Sequence, residues 1–492
     1  MRIITVFIIV FFSKLVAASP WIEKDDFMAR HHIEVLTESG LLEVPAASWP
    51  MQWSQIASKL EELNSQRESI SEQAKTSVKY LYSIYKLYNE GGSRYALEMS
   101  SSNANALTTS FVSSIKGKER LSLSYEYMDM DWAVRVSPNM VGGRHDSSGS
   151  SIVWDNSYAA TKFGSWTYSV NTLEKWWGFG YADSLILNDN ARPFPVLQIS
   201  RDTSQKFESP YLSWIGYWNF TTFVGQLETN RFVEKPLIWG GRFEFSPSKY
   251  TDFALTRVAI FGGKGRPKDI GTFWDLLIGN DNCGNNDIDA CGTGLSSNEP
   301  GNQLASVEAR FKFSPLGLPL SLYTQLAFED EAGGLPSRGI GLIGLTHSGN
   351  YQNIPYRLFI EHSNTISEDI YDESRFNFFY EHGIYRSGYR YYNRTIGSNY
   401  DNDSKVTSVG GWFAFTPDFK GSFMYKDGEL NIDGKGARHS LISEKSAYNQ
   451  YGVTTEYKHK NYGVFSLGIK KESLRQSGLS ETILSLGWKR EF

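Results

Sequence analysis

The chain has 492 residues, 40% of them hydrophobic, with a mean hydropathy of −0.37 and a formal net charge of −5. Beyond its first dozen residues no apolar run approaches the roughly 18 residues a spanning helix needs, so only a barrel carries such a chain through a membrane. Charge is balanced without a basic block, which gives nucleic acid no footing, and 30 Phe, 28 Tyr and 14 Trp suit the aromatic girdles of a barrel at two membrane interfaces.

Met1 and Arg2, the apolar run 3–12 and the small residues of "KLVAAS" read as a secretory signal peptide over residues 1–18, cut after Ala18. No cysteine follows the cut, so no lipid anchor is expected there. Residues 19–92 carry helical periodicity. Asp25 or Asp26 caps a first helix with Met28, Val35 and Leu36 on one face, and Gly40 ends it. Ile56, Leu60 and Leu63 form a second stripe. Ala74, Val78, Leu81, Tyr85 and Tyr88 form a third, stopped by Gly91 and Gly92. The expectation is a small α-helical bundle that needs another surface to lean on.

From there to residue 492 the period is two. In "RLSLSYEYM", Leu121, Leu123, Tyr125 and Tyr127 oppose Ser122, Ser124 and Glu126; in "VEARFKF", Val307, Ala309, Phe311 and Phe313 oppose Glu308, Arg310 and Lys312. "SRFNFFYE" (374–381) reads as a further strand. Alternation alone fits a sandwich as well as a barrel. The export signal, some 400 residues of strand and turn without a second helical layer, and the last strand "ETILSLGWKREF" favour the barrel. Leu484, Leu486, Trp488 and Phe492 share one face of that strand, interrupted by Arg490, and a final aromatic residue resembles the carboxy-terminal signal of outer-membrane barrels, read by the barrel-insertion machinery. Roughly eighteen to twenty candidate strands of about ten residues match the length that crosses an outer membrane at a tilt. Both barrel ends, and the helical bundle with them, then fall on the periplasmic side. Loops are expected near 138–150, 174–195, 201–215, 261–303, 329–338, 364–372, 391–405 and 430–446.

Cys283 and Cys291, the only cysteines, lie in a polar loop of an exported chain, and a local disulfide is expected between them. Neither a zinc nor an EF-hand spacing is present, so no metal and no cofactor is expected.

"EKWWGFGYADSLILNDNARPFP" (174–195) combines Trp176 and Trp177 with Asn188, Asp189, Asn190 and Arg192. Flat rings beside amides and a guanidinium suit a pyranose, which stacks through its C–H face and hydrogen-bonds through its hydroxyls. The same groups suit anchoring of a loop inside a wide barrel. This stretch resembles the Wzi family of capsule-assembly outer-membrane proteins, which carry a Trp-Trp-Gly run followed by Ser-Leu-Ile-Leu. The resemblance continues through "FMARHHIEVLTESGLL", "SWPMQW", "SPYLSWIGYWNFTTFVGQLE" (209–228), "RVAIFGGKGRP" (257–267), "FEDEAGGLPSRG" (328–339) and "YRYYNRTIGSNYDNDS" (389–404). Phe179 stands where many relatives have proline, and Ser398 where a histidine is common.

The resemblance implies an all-β antiparallel transmembrane barrel of eighteen strands over residues 93–492 with a periplasmic helical bundle. It also implies a non-catalytic role: binding exported capsular or extracellular polysaccharide and anchoring it at the surface of a Gram-negative cell. Matching blocks make Trp176, Trp177, Asn190, Arg192, Glu329, Asp330, Glu331, Arg338, Arg390, Asp401 and Asp403 the candidate polysaccharide contacts. The chain is expected to sit in outer-membrane lipid as a monomer. A diffusion porin is the alternative, with Arg310, Lys312, Arg375 and Glu381 lining its lumen. A barrel hydrolase is disfavoured: Glu361, His362 and Ser363 alternate faces on a strand and form no local relay.

Overall fold

Period-two alternation runs long enough for the sheet to close on itself. A computed structural model describes residues 21–24, 26–111, 116–129, 131–278, 301–332, 335–369, 373–435 and 439–492, and in it eighteen antiparallel strands form one closed barrel, several of them interrupted by a kink. The proposed signal and the Cys283–Cys291 loop lie outside the described residues.

The barrel opens with β1 (Gly92–Ser102), β2 (Glu119–Met128) and β3 (Trp132–Val136 continued by Asn139–Gly142). Next come β4 (Ile152–Val153 and Tyr158–Phe163), β5 (Trp166–Asn171), β6 (Val196–Arg201 and Gln205–Lys206) and β7 (Tyr217–Gln226). β8 (Leu237–Ser248), β9 (Thr251–Phe261), β10 (Gly301–Lys312) and β11 (Leu320–Ala332) follow, then β12 (Leu335–Tyr351) and β13 (Ile354–Asp369). β14 (Lys405–Thr416), β15 (Phe419–Leu430), β16 (Ser446–His459), β17 (Gly463–Leu474) and β18 (Leu479–Glu491) complete it. β18 returns to β1, with Glu491 opposite Ala96 and Ser485 opposite Ser102, and the Phe492 amide donates to the Tyr95 carbonyl at 2.8 Å.

Faces sort as the alternation predicts. Leu121, Leu123, Tyr125, Val307, Phe311, Leu484 and Leu486 are exposed on the outer wall, while Ser122, Glu126, Glu308, Arg310 and Lys312 are buried inside. An apolar exterior and a polar interior are what lipid outside and polar filling inside require. One rim carries short turns and the other carries the long segments.

Some stretches read from sequence as loops are strand. Hairpin β11–β12 runs through most of 329–338, and β13 continues to Asp369. Residues 201–215 lie at the short-turn rim. Conversely, "SRFNFFYE" is not a strand beyond Ser374–Arg375: Asn377 and Tyr380 have φ of 52° and 67°, which ends the extended run, and the Phe379 and Tyr380 rings are fully buried.

Three helices precede the barrel: α1 (Phe27–Glu38), α2 (Ala57–Ser65) and α3 (Glu72–Asn89). Asp26 caps α1 by accepting from the Ala29 amide at 2.9 Å, and Gly40, at φ 72°, lets the chain turn away. The helices do not form a bundle apart from the barrel. Every residue of α1 is buried, because its charged side meets the wall. Arg310 of β10 and Arg357 of β13 donate to Glu38 at 2.5, 2.7 and 3.0 Å, joined by Ser321 and Ser348. Glu34 accepts from Arg30 at 2.9 Å and from the Tyr181 hydroxyl at 2.7 Å. A face that resembles a solvated one in sequence is thus a buried ion network, each charge paired and hydrogen-bonded as burial demands. Burial alone would raise the Glu38 carboxyl, but Arg357 and Arg310 hold it down at about 2. α1 and the segment 174–195 occupy much of the lumen and leave space along the inner wall of β16–β18 and β1, beside Ser100, Gln450, Thr454 and Lys470.

Candidate functional site

From the long-loop rim, residues 172–195 turn inward and hang on the wall. Glu361 of β13 accepts from the Tyr181 and Asp183 amides at 2.8 Å each. Gln325 of β11 accepts from the Leu185 amide at 2.8 Å and donates to the Trp177 carbonyl at 3.3 Å. At the bottom, Trp176–Trp177 pairs as a two-residue strand with Ser48–Trp49, just before α2. Trp176 is fully buried between Trp49 and Phe111, its Nε1 donating to the Gly180 carbonyl. Trp177 packs on Phe223. Both rings are therefore plug residues, with neither face open to a ligand, and the amides of this stretch serve the plug as well. Asn190 donates to the Thr395 carbonyl and accepts from Arg394 at 2.6 Å.

A second segment, 376–404, lies over the first. Asp183 accepts from the Ser398 hydroxyl at 2.6 Å and the Asn399 amide at 2.7 Å, and the Tyr380 hydroxyl donates to the Leu185 carbonyl. Within it a hairpin pairs Arg390–Tyr391 with Arg394–Thr395. Arg390 is clamped between Asp401 and Glu381, at 2.8 Å to each. Burial would raise Asp401, but the Arg390 guanidinium holds its carboxyl well below the usual range. Asp403 behaves oppositely. Burial, and then the charges of Asp433, Asp401 and Glu381, push it up to about 7 although it accepts from the Asn377 amide at 2.7 Å.

The structure thus divides the candidates read from sequence. Trp176, Trp177, Asn190, Arg390, Asp401 and Asp403 are buried and join the 174–195 and 376–404 segments to the barrel. Glu329 accepts from the Tyr380 amide at 2.9 Å. Arg338 holds Asp369 and the Glu373 carbonyl at the rim, apart from the others. Asp330 and Glu331 pair through β11 and β12 at that rim, and their side chains lie outside what the structure describes. Arg192 alone combines partial exposure with a ring neighbour: it donates to Asp155 at 2.7 Å and lies over Tyr392, 5.8 Å from its centroid.

The accessible rings were not singled out from sequence. Arg386 lies 4.8 Å over the exposed Phe232 ring, and Arg375 lies 4.4 Å over Phe378. With Arg192 and Tyr392 they place three guanidinium–aromatic pairs on the long-loop rim and its covering segments. Only Arg375 and Phe378 are close in sequence; Arg192 with Tyr392 and Arg386 with Phe232 meet across separate loops and leave no local signal. Such pairs give a flat apolar face next to planar donors, an arrangement for stacking and hydrogen-bonding a ligand. Among the described residues no three carboxylate, histidine or cysteine side chains gather as metal ligands. Glu361 faces the lumen while His362 faces outward and meets Thr407 at 2.9 Å, so the local relay is geometrically broken.

The family model for the capsule assembly protein Wzi matches residues 88–481. An uncharacterised 55.8 kDa protein in the cps region of Klebsiella pneumoniae is 35% identical over 226 residues, which are 46% of this chain and 43% of that protein. The match thus spans less than half of that relative's length. Among solved structures, the Escherichia coli outer-membrane protein Wzi, described as a carbohydrate-binding β-barrel involved in group 1 capsule assembly, superposes with a TM-score of 0.82 at 22% identity. That superposition covers 97% of this chain and 100% of the other, and establishes the shared fold.

Proposed function

The chain belongs to the Wzi family of capsule assembly proteins, an outer-membrane barrel family, and on that premise we propose that its long-loop face binds exported capsular or extracellular polysaccharide and anchors it at the cell surface without catalysis. The long loops are then extracellular, while the short turns, α2 and α3 face the periplasm. The reading extends to a monomer whose last strand, ending in Phe492, engages the insertion machinery.

The observation that carries the proposal is the pairing of a largely occupied lumen with ring-and-guanidinium pairs on the outer face. A porin needs an open bore; here α1 and the 174–195 segment narrow it to the space along β16–β18 and β1 and are tied to the wall by Glu38, Glu34 and Glu361. A carbohydrate binder needs accessible rings beside planar donors, which Tyr392, Arg192, Phe232 and Arg386 supply. The binding contacts move from the buried Trp176 and Trp177 to this rim.

The test is calorimetric titration of the folded protein with its host's own polysaccharide, beside Tyr392→Ala and Arg386→Ala. The expected result is binding by the wild type, weakened about tenfold or more in the double variant, corresponding to about 1.4 kcal/mol. Absence of binding to the correct polymer, together with steady ion conductance in a planar bilayer, would reject the anchor.

A further inference from the structure

Helix α4 (Ile270–Ile278) belongs to the segment between β9 and β10, yet it neither enters the lumen nor covers the mouth. It lies against the outside of the barrel. On β8, β9 and β10 the odd-numbered side chains point outward, and near the long-loop rim several of these are covered: Ala259 and Phe261 are 0% and 3% exposed. Their cover is α4. Leu276 packs on Ala259 and Phe261, and the Phe273 ring sits 5.9 Å from Trp239 and 5.4 Å from Phe261. Arg257, a cation on this outer wall, donates to the Leu276 and Leu277 carbonyls at 2.9 and 2.8 Å and to Gln303 at 2.9 Å. The wall thereby satisfies the helix's last carbonyls, and the helix shields a charge that lipid would otherwise meet.

Among the described residues nothing covers the outer side of α4, where Ile270 and Trp274, one turn apart, are 86% and 60% exposed. Directly before the helix comes the basic stretch "KGRPK". Lys268 is exposed; Lys264 is exposed too and pairs with Glu234 at 2.8 Å. Asp269 caps the helix by accepting from the Thr272 amide and hydroxyl.

We propose that α4 and Lys268 form an external ledge that binds anionic, phosphate-bearing lipid of the outer leaflet. Ile270 and Trp274 enter the acyl chains while Lys268 meets the headgroup phosphate. Two features select lipid over a protein partner. The ledge is continuous with the lipid-facing wall of β8–β10, and its cation lies at the rim side of its apolar face, the order in which a leaflet presents phosphate above chains.

The test uses the whole folded protein in vesicles of dibrominated phosphatidylglycerol or dibrominated phosphatidylcholine, the bromines high on the chains. Subtracting the emission of Trp274→Phe isolates Trp274 from the other indoles. The expected difference signal is quenched in both lipids, at least twofold more in phosphatidylglycerol, and Lys268→Gln brings the two lipids level. Both substitutions are at exposed positions, and heat-modifiable gel migration verifies that the barrels are folded. An unquenched signal in both lipids overturns the proposal, and two copies per nanodisc by light scattering would then give the face to a second chain. Equal quenching of the wild type in the two lipids also overturns it, since no anionic headgroup is then selected.

Discussion

Arg357 of the barrel wall meets Glu38 of α1 through both terminal nitrogens, at 2.7 and 3.0 Å, with both side chains buried. The two residues are 319 positions apart, and their contact locks the amino-terminal helix into the lumen. Glu38→Gln leaves Arg310 and Arg357 buried with less countercharge. Breaking a buried pair from one side costs about 3–5 kcal/mol, so the urea midpoint of the folded, heat-modifiable band is expected to fall markedly. An unchanged midpoint would show that α1 does not support the barrel.

The same carboxylate sets an acid limit. Glu38 titrates at about 2 in the fold against an ordinary 4.5, so its contribution is complete above pH 4.5 and is lost as pH falls through about 2. Release of α1, followed by limited proteolysis after brief acid exposure, is expected below pH 3, and Glu38→Gln is expected to flatten that dependence.

Asp403 carries the opposite sign. Its carboxyl is held up at about 7, so the fold favours the protonated form, and stability declines as pH rises from 3.8 through about 7. Amide protection over residues 376–404, corrected for the intrinsic rise of exchange with pH, is expected to be lower at pH 8 than at pH 6. Asp403→Asn keeps an acceptor for the Asn377 amide and tolerates the residue's φ of 51°. It should raise protection at pH 8 and remove the difference in protection.

Trp176→Ala opens a cavity between Trp49, Phe111 and α1. A loss of about 3–5 kcal/mol is expected, with polysaccharide affinity per folded molecule unchanged. Tyr392→Ala should do the reverse. A Trp176 variant that is fully stable but fails to bind would return the ligand site to the plug.

Facing and closure were legible, and strand number to within two, because lipid on one side and a polar lumen on the other impose period two on the strands. The helices were legible too, but not their placement. Glu34, Glu38 and Arg30 form the polar side of an amphipathic helix whether they meet water or Arg310 and Arg357, and no local pattern separates the two. The 174–195 stretch was recognisable as exceptional, yet Asn190 and Trp176 use their donors on Thr395 and Gly180, partners distant or invisible in the linear chain. Tyr392 and Phe232 escaped because a ring in a loop shows its exposure only after folding. α4 lay unnoticed in the segment 261–303, where nine mostly apolar residues resemble any buried turn.

Trp176–Trp177 descends from the long-loop rim and Ser48–Trp49 belongs to the segment that joins α1 to α2; the two pair within the lumen. The lumen therefore contains a tie rod as well as a stopper. If the chain holds a polymer as proposed, tension at the outer face would run down this rod to α1 and spread through Arg310 and Arg357 into the wall, so that the load is shared by both rims of the barrel instead of by the loops alone.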